Sequence, residues 1–74
     1  MFNATHEIKA GYGYWDATQY PVGGCFRRAE KTAGLPVVAQ GEPQRFQGFG
    51  YLVKFIDQAG RILWAGESAF RPLD

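Results

Sequence analysis

Gly50–Ala65, GYLVKFIDQAGRILWA, reads as two strands joined by a tight turn. β-Branched and aromatic residues flank Asp57-Gln58-Ala59-Gly60, which has Asp and Gly at the ends a turn favours. The turn sets the register. A two-residue loop of Gln58-Ala59 would put Trp64 beside Val53, but ordinary L-residues are poor in the primed turns such a loop prefers. A three-residue loop ending on Gly60 in the left-handed region makes a G1 bulge instead and sets Asp57 opposite Arg61. Phe55 then meets Leu63 and Val53 meets Ala65 on an inner, core-facing side, while Ile56 meets Ile62 and Lys54 meets Trp64 on the outer side. Leu52, Ile56, Ile62 and Trp64 form an outer stripe too apolar for water alone. Phe26, Ala29 and Ala33 of a nearby helix would cover it, or a partner or second subunit would.

The rest of the chain is read outward from this hairpin. Glu67-Ser68-Ala69-Phe70 is too short for an α-helix and runs into Arg71-Pro72, which predicts one helical turn and then a short edge strand. Glu7–Trp15 alternates Ile8, Ala10, Tyr12 and Tyr14 with Gly11 and Gly13 on the other face, a strand with a bend. Asp16–Gly24 contains Pro21, Gly23 and Gly24 and reads as a loop whose Tyr20 and Val22 dock back. Cys25–Ala33 carries good helix formers, an apolar stripe at Phe26, Ala29 and Ala33, and a stop at Gly34; these favour a short helix closed by Gly34 at positive φ, although the same residues also suit a strand. Val37-Val38 reads as a short strand and Gly41–Gln47 as a loop.

With those elements in place, YLVKFIDQAGRILWAGESAFRPL, about a third of the chain, resembles the last strands of SH3-like barrels, Tudor-type domains in particular. The similar features are Val53, Phe55 and Asp57 in a V-x-F-x-D pattern, the turn glycine Gly60, and a helical turn leading into Phe70-Arg71-Pro72-Leu73. Cys25-Phe26-Arg27-Arg28-Ala29 is similar to the second strand of that family, which would replace the helix. The resemblance implies a mainly β, small SH3-like barrel with one short helix or helical turn. Tudor domains are known for aromatic cages around methylated Lys or Arg. Here Gln58 stands where an aromatic residue commonly follows the aspartate.

Composition bounds the function. At 74 residues the chain is too short for a two-domain enzyme. One cysteine, Cys25, and one histidine, His6, provide neither an internal disulfide nor the ligands of a structural zinc site. Packing of the 12 aromatic residues, or a partner subunit, must supply the stability. A net charge of +1 gives no strong field toward phosphate or an anionic membrane. MFNATHEIKAG has neither a basic start nor a signal-length apolar run, and the lone thiol suits a reducing compartment, so the expectation is a soluble cytoplasmic protein with no membrane partner.

Few motifs carry chemistry. A Cys25–His6 nucleophile pair lacks an orienting third residue, Gly23-Gly24 lacks the Lys-Ser/Thr ending of a phosphate loop, and Asp16, Glu42, Asp57 and Glu67 sit at expected turns. The expectation is therefore no enzyme, no cofactor and no metal. Gln47–Phe55, QGFGYLVKF, is close to the aromatic RNP1 strand of RNA-binding domains, but Gln47 replaces the basic first residue and the final ring comes one place late at Phe55. Too little chain follows for that fold. Tyr12, Tyr14, Trp15, Tyr20 and Trp64 exceed what a small core readily hides. The expected function is a non-enzymatic binding module, a protein-binding adaptor or inhibitor using Tyr12, Tyr14, Trp15 and the hairpin's outer face with Trp64, its partner another protein or a second copy. The alternative is a nucleic-acid-binding barrel for single-stranded RNA or DNA, using Phe49, Tyr51, Lys54, Arg27 and Arg28.

Overall fold

A computed structural model of the chain describes residues 2–16 and 25–73. The strands are β1 (His6–Ile8), β2 (Gly13–Asp16), β3 (Cys25–Arg28), β4 (Leu35–Phe46), β5 (Gly50–Ile56), β6 (Ile62–Gly66) and β7 (Phe70–Pro72), with a 3-10 turn at Glu67–Ala69. They form one antiparallel sheet in the order β3-β2-β6-β5-β4-β1-β7.

The β5–β6 hairpin has the register that its turn chemistry requires. Val53 pairs with Ala65, Lys54 with Trp64, Phe55 with Leu63 and Ile56 with Ile62. Gly60 lies at φ +84°, its N–H donates to the Asp57 carbonyl at 2.9 Å, and the Asp57 N–H donates to the Arg61 carbonyl at 3.1 Å. The buried Asp57 carboxylate locks the loop from inside. Its Oδ1 accepts from the Ala59 and Arg61 N–H groups at 3.0 and 2.9 Å, and its Oδ2 accepts from the Arg61 guanidinium. That contact raises the Arg61 pKa further above its already basic value, through the hydrogen bond and charge of Asp57.

The sheet is open, and this corrects the SH3-like, Tudor-type barrel. Its terminal strands, β3 and β7, do not pair with one another. Both are short, and Pro72 has no N–H with which to extend a ladder. What imitates a barrel is a fold-over at β4, which pairs with β1 through Leu35–Val37 and with β5 from Val38 onward. In a flat sheet β5 and β7 would lie about 14 Å apart. The Phe55 and Phe70 rings nonetheless meet at 5.6 Å, and Tyr14 meets Phe55 at 5.9 Å. Strands β1 and β7 are thus turned over the inner face, enclosing Ile8, Tyr14, Ala29, Val37, Phe55, Leu63, Ala65 and Ala69.

Three local expectations change. Glu7–Trp15 divides at a turn where Tyr12 N–H donates to the Lys9 carbonyl and Gly11 takes φ +80°, so β1 and β2 join different neighbours. The helix expected over Cys25–Ala33 is a strand as far as Arg28, followed by bends, because pairing with β2 outweighs local propensity. Gly41–Gln47 is not a loop: β4 continues to Phe46 and absorbs Gly41, at φ +78°, in an irregularity between Gln40 and Gln44. The helical turn and edge strand expected after Gly66 are present. Tyr20, Val22 and the rest of the expected Asp16–Gly24 loop beyond β2 lie outside the described residues.

Phe55 is fully enclosed, so Phe55→Ala should cost about 3–5 kcal/mol and lower the urea midpoint enough to unfold much of the population at ambient temperature. Gly34 is required for a different reason from the one expected. Its φ is not positive, but a Cβ there would sit 2.8 Å from the Ile8 carbonyl oxygen and collide with the Glu7 carboxylate. Gly34→Ala should therefore destabilise by about 1–3 kcal/mol in the same urea titration.

Candidate functional site

Strand alternation sorts the side chains of the five strands β3-β2-β6-β5-β4 onto two faces. The outer face carries Phe26 and Arg28, Gly13 and Trp15, Ile62 and Trp64, Leu52, Lys54 and Ile56, and Val38, Gln40, Gln44 and Phe46. Among the described residues no element forms a layer over it, since β1 and β7 lie on the inner side.

The apolar stripe expected here is covered only in part, at Leu52 and Trp64, and by its own neighbours. Trp15 pairs directly with Trp64 across β2 and β6, and the Phe46 ring meets Trp64 edge-on at 4.9 Å. Trp15 in turn receives Phe26 at 4.9 Å and Phe49 at 5.4 Å, both in T-shaped contacts. The Phe26 ring lies over Gly13, where a Cβ would strike it, so the glycine makes room for the aromatic layer. Leu52 and Trp64 are buried, with Trp64 5% exposed. The covering expected from a helix does not exist: Phe26 comes from a strand and Ala29 belongs to the inner core. Phe46 is the member that the sequence reading missed, because it fell within the expected loop; alternation along β4 is the signal that finds it.

Exposure is concentrated at the margin of the layer. Phe26 is 50% exposed and Ile62 37%, and Trp15, Phe49 and Ile56 are half-buried. Among the residues whose pairing sets their face, the outer face has two cations, Arg28 and Lys54, and no carboxylate, while Glu42 lies in the β4 irregularity. Arg28 lies 5.4 Å from the Phe26 ring centre and donates to the Gly11 carbonyl at 3.3 Å.

The other expected site residues are dispersed. Tyr14 is buried in the inner core, so it adds no contact surface. Tyr12 is exposed in the turn between β1 and β2, with Lys9 Nζ 5.3 Å from its ring centre. Arg27 is held by Asp16 at 2.8 Å, and Asp16 also accepts from Arg61 at 3.4 Å. Phe49 sits in a type II turn with Gly48 at φ +85° and leans on Trp15, whereas Tyr51 alternates with Val53 and Phe55 and is 57% exposed on the other side. The RNP1-like rings therefore do not share a platform.

No catalytic grouping is assembled among the described residues. His6 Nδ1 lies 2.9 Å from Thr5 Oγ1 and its ring meets Phe70, while Cys25 pairs through its backbone with Asp16 on a strand at the far end of the sheet order. Among the described residues no three His, Cys, Asp or Glu residues are grouped to hold a metal ion, and no helix is long and apolar enough to cross a membrane. In comparisons with protein-family models, curated proteins and solved structures, nothing matches the chain.

Trp64 now has a defined mutational outcome. Because Phe46 and Trp15 cover it internally, Trp64→Ala should cost about 3–5 kcal/mol in chemical denaturation, rather than leave a stable fold with an emptied surface.

Proposed function

We propose that the protein is a cytoplasmic, non-enzymatic protein-binding module whose contact surface is the outer face of the five-stranded half of the sheet. One observation carries this reading: an aromatic layer of Trp15, Phe26, Phe46, Phe49 and Trp64 occupies a face without a covering layer among the described residues, and its margin at Phe26 and Ile62 is open to water. Surfaces with rigid aromatic anchors and little charge suit protein contact, because the rings offer area at small entropic cost. The lone thiol is consistent with the cytoplasm. Nucleic acid is the less supported partner. The rings meet edge to face and occlude one another, Phe49 and Tyr51 lie on opposite sides, and among the paired residues Arg28 and Lys54 are the two cations of the face.

Ile62→Asp tests the reading without touching the inner core. The variant should fold with a thermal midpoint within a few degrees of the parent, and cross-linking capture from the source cells should lose protein that the parent retains. Identical recoveries by parent and variant would overturn the assignment of this face. A titration with labelled single-stranded oligonucleotides at low salt, positive for the parent and abolished by Lys54→Gln, would transfer the function to nucleic acid.

A further inference from the structure

The sheet has two edges, and they are finished differently. At β7 the strand is three residues long, Pro72 removes a donor, and Arg71 is paired with Glu7 on the neighbouring strand. At β3, Cys25–Arg28 has no such protection: it contains no proline, and no described residue pairs with its outward side. Ala29 N–H donates to the Tyr12 carbonyl at 2.9 Å, so by antiparallel alternation Arg27 directs its backbone groups toward β2 while Phe26 and Arg28 direct theirs away from the sheet.

The side chains around those free backbone groups specify what fits. Phe26 is half exposed, with Trp15 beside it. Arg27 and Arg28 flank the strand. On the inner side Arg27 and Arg61 share Asp16 and Arg61 also pairs with Asp57, while on the outer side Arg28 lies by the Phe26 ring, so three guanidinium groups stand near two carboxylates. A second copy docking by its own β3 would put four guanidinium groups on one two-stranded ribbon, a like-charge arrangement that disfavours self-pairing. An acidic strand meets Arg27 and Arg28 with opposite charge.

We propose that the β3 edge accepts an extended acidic segment of a partner protein as an eighth strand, apolar where it meets Phe26 and carboxylate-bearing where it meets Arg27 and Arg28. The backbone groups of Phe26 and Arg28 supply the ladder, and the added strand extends the aromatic outer face. This inference rests on the protein-binding reading above and names its partner's chemistry. Edge and face remain separable, because the edge depends on β3 backbone groups and the face test on Ile62.

The probe is an array of ten-residue acidic peptides in which Val, Leu or Tyr stands next to a Glu-Glu pair, in either order, with matched arrays carrying Lys for Glu and arrays with N-methylated backbones. The protein should bind the Glu peptides, bind the Lys peptides at least about tenfold more weakly, and ignore the N-methylated set. In the complex, amide exchange at Phe26 and Arg28 should slow. Arg28→Pro, which removes an outward-facing N–H at an edge position where proline is tolerated, should abolish binding with the circular dichroism spectrum retained. Arg27→Gln with Arg28→Gln should weaken binding and reduce its salt dependence. Equal binding of Glu and Lys peptides, retention by Arg28→Pro, or failure of every acidic peptide to bind would overturn the edge proposal. Protection appearing at Ile56 and Ile62 instead of β3 would overturn it too, while leaving the outer face as the contact surface.

Discussion

The register of the β5–β6 hairpin is the constraint on which the rest of the molecule depends. It is set by a few atoms: a Gly60 backbone in the left-handed region and an Asp57 carboxylate that accepts two loop N–H groups and the Arg61 guanidinium. A slip of one residue would exchange the faces of every side chain in β5 or β6. Phe55 and Leu63 would leave the core, and Trp64 would enter a space already filled by Ala65's neighbours. Burying Asp57 is tolerated because its acceptor capacity is met by donors within the same turn.

From that register follows a division of labour between the two faces. The inner face is closed by the chain turning over at β4, so that strands remote in the sheet order contribute to one cluster with Phe55 at its centre. The outer face has no such return of the chain among the described residues and is stabilised by rings packed on rings. T-shaped contacts of this kind contribute about 0.5–1.5 kcal/mol each beyond their buried area. In a chain whose single cysteine allows no internal disulfide, that layer supplies stability a cross-link would otherwise give.

The sequence revealed what is encoded locally. Turn chemistry at Asp57–Gly60, alternation through Val53 and Phe55 and the helical turn before Pro72 are all decided within a few residues, and each is present. Elements decided by distant pairing were not legible. Cys25–Arg28 has helix-compatible residues and becomes a strand only because β2 offers Trp15 and Gly13 as partners for Phe26. Gly41 and Pro43 signal a loop, yet β5 holds β4 in the ladder on both sides of them. Barrel closure was unreadable for a related reason: the C-terminal strands look alike whether or not the sheet's two ends meet, and here they do not. The outer stripe was legible as a problem, but its solution by Phe46 and Trp15 was not. Tyr14 shows the corresponding limit for the site, since alternation with Trp15 sends one ring to the core and the other outward.

The aromatic layer also shows why folding and binding are hard to separate on such a face. Trp64 is retained although its Nε1 has no hydrogen-bond partner among the described residues, and an unpaired buried donor costs about 1–3 kcal/mol. That cost is offset by the area the indole gives to Phe46 and Trp15, so ring packing outweighs polar satisfaction at this position. Rings already wedged edge to face lose little further freedom when another surface meets them, which lowers the entropic cost of association. The same wedging means that removing a central ring loosens the fold before it exposes any change in affinity. Marginal positions that remain open to water, such as Phe26 and Ile62, can change contact chemistry while leaving the sheet intact. The face is therefore organised from a structural centre at Trp64 to a contact rim, and the rim adjoins the one edge of the sheet that is left without proline.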